Sequence, residues 1–204
     1  MNLEATPDGR GLSSHVHRGS RTRPGDALIV NLFGGPGSGK STLASRIFHE
    51  LKCAGIEAAC PEEHAKLALW SGQPWLLDEQ TVLLGRTWET LHALRDKVEV
   101  IIVDSPILLC SVYAGEREPD CFHHLVLDMH RRTDRINILL SRDRAAGYSM
   151  NGRRESEAEA HAADARIRQT LQSFHEPFLS VSHATRIGHH LIDFLEDGHR
   201  RPSS

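Results

Sequence analysis

The stretch Gly34-Gly35-Pro36-Gly37-Ser38-Gly39-Lys40-Ser41 constrains this chain more than any other, because it satisfies GxxxxGK[ST] in full. Residues 27–33 before it form a short continuous apolar run, which reads as a buried parallel strand. Residues 40–53 after it place Leu43, Ile47, Phe48 and Leu51 on one helical face, with Gly55 as the stop. Strand, glycine-rich turn and helix in that order make an anion cradle. Glycines adopt backbone torsions that other residues resist. The freed amide N–H groups and the helix N-terminus then converge on phosphate. In this frame Gly34, Gly35, Pro36, Gly37, Ser38 and Gly39 wrap a nucleoside triphosphate, and Lys40 reaches its β- and γ-phosphates. Ser41 offers a hydroxyl to magnesium, and Thr42 lies within reach of the α-phosphate.

A P-loop of this kind pairs with a carboxylate at the end of a neighbouring strand. Residues 98–103 are the most convincing further strand, Asp104 ends them and Pro106 blocks their continuation. Asp104 therefore stands where an acid that holds magnesium or its waters belongs. Further strands are expected at 56–60, 136–140 and 178–181, and helices at 62–71, 78–96, 120–132, 155–175 and 185–195. On these helices Leu67 and Trp70 are expected to face inward, as are Val82, Leu83, Trp88, Leu91 and Leu94, and Asp78 is the expected cap of 78–96. Strands alternating with helices require right-handed crossovers and a parallel sheet covered on both faces. The expected fold is a three-layer α/β P-loop NTPase/kinase with a five-stranded parallel sheet.

Composition sets the boundaries. A chain of 204 residues fits one domain, read here as residues 27–195 between a disordered, mildly basic arm at 1–26 and a polar tail at 196–204. A net charge of −3 gives no global argument for nucleic-acid binding. The four cysteines form no CxxC pair and read as small buried hydrophobes in a reducing compartment. The histidine doublets 123–124 and 189–190 lack the spacing of a metal site. No apolar run approaches the ~20 residues that span a bilayer, and no signal peptide is evident. The expected location is the cytoplasm, that of the host cell if the chain is phage-encoded, with no membrane partner.

Two more segments bear on chemistry. Residues 142–154 are polar, glycine-containing and rich in arginine, as a lid that shields a transferring phosphoryl group would be. Arg153 and Arg144 are the candidates for covering its spreading charge. Glu62-Glu63-His64-Ala65-Lys66 follows the second strand and opens onto the same sheet edge. A carboxylate there can orient or deprotonate an acceptor hydroxyl, with Glu63 the choice though the sequence does not separate it from Glu62, Asp104 the alternative and Lys66 a contact for an anion. A GTPase would carry an NKxD-type segment, and none is present.

Residues 31–42, 61–66, 100–106 and 148–153 together resemble a group of bacteriophage P-loop kinases similar in fold to thymidylate kinases. The resemblance spans about residues 28–171. Some of that group phosphorylate the 5-hydroxymethyl group of 5-hydroxymethyluracil within phage DNA, on the way to hypermodified thymidine. The resemblance implies an ATP- and magnesium-dependent kinase with an alcohol acceptor, and DNA containing a modified pyrimidine as partner. Thymidylate kinases usually carry Asp-Arg-aromatic where this chain has Asp104-Ser105-Pro106, so the arginine that grips a monophosphate is missing from that spot. A kinase for a free nucleotide, nucleoside or small alcohol is the first alternative, and a regulatory ATPase the second. Trp70 and Trp88 read as core residues, and Trp75 as the exposed tryptophan on which a base can stack.

Overall fold

The computed structural model describes residues 12–20, 22–23, 25–141, 157–182 and 185–199. The apolar runs form β1 (Leu28–Phe33), β2 (Ala58–Ala59), β3 (Val100–Val103), β4 (Arg135–Leu140) and β5 (Leu179–Val181). All five pair in parallel in the order β2-β3-β1-β4-β5. The helices are α1 (Lys40–Cys53), α2 (His64–Trp70), α3 (Gln80–Leu94), α4 (Leu109–Tyr113), α5 (Phe122–Arg131), α6 (Glu157–Ser173) and α7 (Ile187–Phe194). The expected three-layer α/β P-loop kinase fold with its five-stranded parallel sheet is what forms.

Alternation along β1 explains the layers. Leu28, Val30 and Leu32 pack with Leu43, Ile47 and Leu51 of α1 and with Ile187 and Leu191 of α7. Ile29 and Phe33 point the other way, onto Leu83 and Leu91 of α3, Val126 of α5 and Ile167 of α6. Both faces are apolar, so the strand reads as a continuous hydrophobic run. Asn31 is the exception. It is buried, and its Nδ2 donates to Asn137 Oδ1 on β4 at 3.1 Å, while Asn137 Nδ2 donates to the Pro177 carbonyl at 3.1 Å. Pairing satisfies both amides where water cannot reach them.

The end of α1 follows from its sequence. Gly55 N–H donates to Lys52 O and Ile56 N–H to Leu51 O, with Gly55 at φ +72°, the left-handed stop that its position in the sequence predicts. This turn sends the chain back along the sheet to β2, and β3 then lies directly beside β1. The carboxyl ends of β1, β2 and β3 are thereby gathered at one edge.

Several expectations are corrected. Residues 12–20 do not form a disordered arm: Leu12 is buried in the α1–α7 layer, and His17 makes an antiparallel bridge with Arg135. The reason is an open edge. β5 pairs only with residues 138–140 of β4, so the backbone of Arg135 is left free to exchange N–H···O bonds of 2.8 and 2.9 Å with His17. Asp134 then accepts from Gly19 N–H at 2.8 Å and from Arg18. Trp70 and Val82 are exposed rather than core, because α2 is only seven residues long and buries Ala68 alone, and α3 turns Leu83 and Leu84 to the sheet instead. Trp88 does pack against the core, and Trp75 is exposed, both as expected. Asp78 ends a 3-10 turn (Pro74–Asp78) and Glu79 caps α3. Of the cysteines only Cys110 is buried, and Cys53, Cys60 and Cys121 are exposed. α4 was not foreseen from the sequence. No described helix is long and apolar enough to cross a membrane.

Candidate nucleotide and acceptor site

The turn between β1 and α1 holds the backbone torsions its glycines permit, with Gly37 at φ +77° and Gly39 at φ +90° as the N-cap of α1. Gly34, at φ +150°, lies so close to Ser38 that a Cβ there would stand 2.5 Å from Ser38 Oγ. The loop is therefore wrapped as tightly as glycine allows. Lys40 Nζ folds back over it and donates to Gly34 O at 2.6 Å and Gly35 O at 3.1 Å. From the far side α6 braces the turn, as Gly35 N–H donates to Asp164 Oδ1 at 2.5 Å. Asp164 lies 129 residues away and carried no signal in the sequence.

Asp104, at the end of β3, accepts a hydrogen bond from Ser41 Oγ at 2.8 Å and is 9% exposed. A hydroxyl and a carboxylate converging beside a phosphate cradle form the hard oxygen donor set that magnesium takes, with its remaining positions left to water and phosphate. The residues present thus fit that ion, and Ser41 and Asp104 would hold it.

Glu63 is the N-cap residue of α2 just after β2, where the neighbouring Ser105 favours its charged form. Burial raises its pKa, Lys40 pulls against that rise, and the nearby Asp104 adds to it. Desolvation thus dominates, which moves the group toward the range where a general base works. Glu62 is exposed, so it is Glu63 that faces the site. Ser105 was noticed in the sequence only as the replacement for an arginine. Its hydroxyl sits beside Glu63 because β3 and β2 are neighbours.

One cavity of about 540 Å³ runs from the P-loop to the helices beyond it. At the phosphate end it is lined by Pro36, Gly37, Gly39, Lys40, Ser41 and Thr42. Past Glu63 its wall is mixed: His64 and Lys66 of α2, Leu83 of α3, Leu109 and Tyr113 of α4. Its described lining holds two cations, Lys40 and Lys66, three carboxylates, Glu63, Asp78 and Glu159, and no arginine. Lys66 Nζ lies 4.6 Å from the centre of the Trp70 ring. His64 Nε2 is 3.1 Å from Thr90 Oγ1, whose own hydroxyl donates to Arg86 O at 3.0 Å. Burial, with the Arg86 charge adding, lowers the His64 pKa. Lys40, Glu63, Asp104, Ser41 and Thr42 are thus brought to one sheet edge. Arg153 and Arg144, with the expected lid, lie outside the described residues.

The fold is shared with proteins of known structure. A NadR protein solved with NAD and AMP-PNP matches at a TM-score of 0.58 and 16% identity, over 87% of this chain and 51% of that one. A NadR protein solved with NR matches at 0.56 and 18%, over 84% and 51%. The APS kinase CysC of Mycobacterium tuberculosis, solved with AMPPNP and APS, matches at 0.47 and 16%, over 85% and 99%. The chain spans about half the length of the NadR chains it matches. No curated protein sequence matches it. A family model described as an AAA domain matches residues 29–186, the greater part of the chain, from β1 through the P-loop, Asp104 and α6 to the threshold of α7, and the chain belongs to that family of P-loop, nucleotide-binding domains.

Proposed function

We propose that this protein is an ATP-dependent kinase that phosphorylates the 5-hydroxymethyl group of 5-hydroxymethyluracil in DNA. The observation that carries this reading is the acceptor end of the cavity: a desolvated carboxylate, Glu63, beside Lys40 and Asp104, with no arginine among the described lining residues. Enzymes that receive a phosphorylated acceptor need a cation to grip it. Among the described lining residues carboxylates outnumber cations, which favours an uncharged alcohol.

The chain's own residues divide the work. The backbone amides of residues 37–42 and Lys40 hold the phosphates and stabilise charge on the transferring group. Ser41 and Asp104 would hold magnesium, which would supply further neutralisation of phosphate charge. Glu63 accepts the proton of the acceptor hydroxyl as its oxygen bonds to the γ-phosphorus. The bond from that phosphorus to the bridging oxygen breaks, and ADP leaves with the electron pair. Leu83, Leu109 and Tyr113 keep bulk water away from the acceptor. The base would enter the cavity unstacked from its neighbours.

A second reading is favoured by the cavity itself. Its volume suits a whole small molecule, and the fold is like that of a NadR protein solved with NR, so a free nucleoside is the alternative acceptor.

Transfer of label from γ-labelled ATP separates the two. The acceptors are duplex DNA containing 5-hydroxymethyluracil, matched thymine DNA and the free 5-hydroxymethyl nucleoside. Label on the base of the modified duplex alone supports the DNA kinase. Label on the nucleoside alone overturns it in favour of the second reading. Phosphate release with no acceptor labelled would make the protein a regulatory ATPase. Lys40→Ala abolishes transfer in either kinase and serves as the control.

A further inference from the structure

Gln80 opens α3 and lines the cavity, yet it is only 5% exposed. Among the described lining residues it is the one with an uncharged side-chain amide. Its Nε2 donates to the Leu77 carbonyl at 2.6 Å. A carbonyl can only accept, so turning the amide over would set two oxygens against each other. The Leu77 contact therefore fixes which way the amide faces. A held amide has one acceptor, Oε1, and one remaining Nε2–H, side by side. That pair is complementary to an imide edge, in which a ring N–H stands next to a carbonyl oxygen.

We propose that Gln80 is the specificity-determining residue of the acceptor site, and that it reads the N3–H and adjoining carbonyl of a uracil-type base. The inference rests on the reading of a 5-hydroxymethylpyrimidine acceptor and extends it to how the base is chosen. With the hydroxymethyl group placed at Glu63, the ring cannot be turned about. A cytosine would then set its N3 lone pair against Oε1, with a clash in place of a hydrogen bond. Losing or opposing such a buried bond costs about tenfold or more in affinity. Leu77, whose carbonyl locks the amide, lines the same cavity.

The test is a binding cycle run beside the transfer assay, so that the two readings fail separately. Wild type and Gln80→Leu, each saturated with magnesium and AMP-PNP, are titrated with a five-nucleotide single strand. Its central base is 5-hydroxymethyluracil, N3-methyl-5-hydroxymethyluracil or 5-hydroxymethylcytosine. Wild type is expected to bind the first about tenfold or more tighter than the other two, and Gln80→Leu to bind all three alike. That loss of discrimination, with AMP-PNP affinity unchanged, is a result that a merely structural glutamine would not give. Equal wild-type affinity for the N3-methylated strand, or discrimination that survives Gln80→Leu, overturns the assignment and leaves Gln80 as the brace of its corner. Failure to bind any of the strands overturns it as well. If the uracil strand binds selectively but receives no label from ATP, the reader stands and the kinase acceptor of the previous section falls.

Discussion

Glu176 sits in the turn between α6 and β5, at the end of the sheet opposite the P-loop, and removing it should destabilise the fold severely. It is 3% exposed and takes Arg131 Nε at 2.7 Å, Arg135 Nη2 at 2.8 Å and Arg135 Nε at 3.2 Å, with His130 Nε2 3.3 Å away. Burial alone would push this carboxyl up, but the contacts with His130, Arg131 and Arg135 outweigh it and hold it far below the ordinary carboxylate range. Its stabilisation is therefore complete above the unfolded carboxylate pKa, and it is lost only as pH falls through the depressed folded value. In Glu176→Leu the two cations fare differently. The Arg131 side chain is 44% exposed and can turn to water, whereas that of Arg135 is 7% exposed and cannot. One stranded buried charge costs about 3–5 kcal/mol. At roughly 2–4 °C per kcal/mol for a chain of this size, the melting temperature should drop by about 6–20 °C. Urea or thermal unfolding at pH 7 measures it. The double variant Arg135→Met/Glu176→Leu removes the stranded charge and should regain most of the loss. A single variant within about 1 kcal/mol of wild type, or a double variant no better than the single, would refute the reasoning.

Other outcomes follow from the site and the N-terminal segment. Glu63→Gln should lower kcat by about 10²–10⁴-fold with little change in nucleotide affinity. Because burial raises the Glu63 pKa, and a base works only when ionised, wild-type kcat should fall with decreasing pH from above the ordinary carboxylate range; a kcat–pH profile of the two proteins checks this. Asp104→Asn should raise the magnesium concentration needed for half-maximal activity by about tenfold or more, read from a magnesium titration at fixed ATP. Leu12→Ala should cost about 2–5 kcal/mol in denaturant unfolding, as a buried leucine does, whereas a solvated arm would give no change.

Much of the site was written in the sequence because its parts are local. The P-loop is eight consecutive residues between a strand and a helix, and Gly37 and Gly39 take the torsions for which glycine is needed there. Asp104 was legible as the acid ending the run 98–103, since an apolar run and the residue that stops it are neighbours in the chain. Alternating strands and helices were enough to give a parallel sheet, because right-handed crossovers leave few other arrangements. The tertiary structure decided what depends on residues far apart. Strand order put β3 beside β1, which brings Asp104 to Ser41 across 63 positions, and put Ser105 against Glu63. It turned Glu63 to the cavity and Glu62 to water. It buried Leu12 and docked residues 12–20, which composition had marked as a solvated arm, because a short β5 left the β4 backbone at Arg135 without a partner. Periodicity records which face of an element is apolar. Which distant group comes to meet that face is settled only when backbone hydrogen bonds and buried charges are all paired in three dimensions.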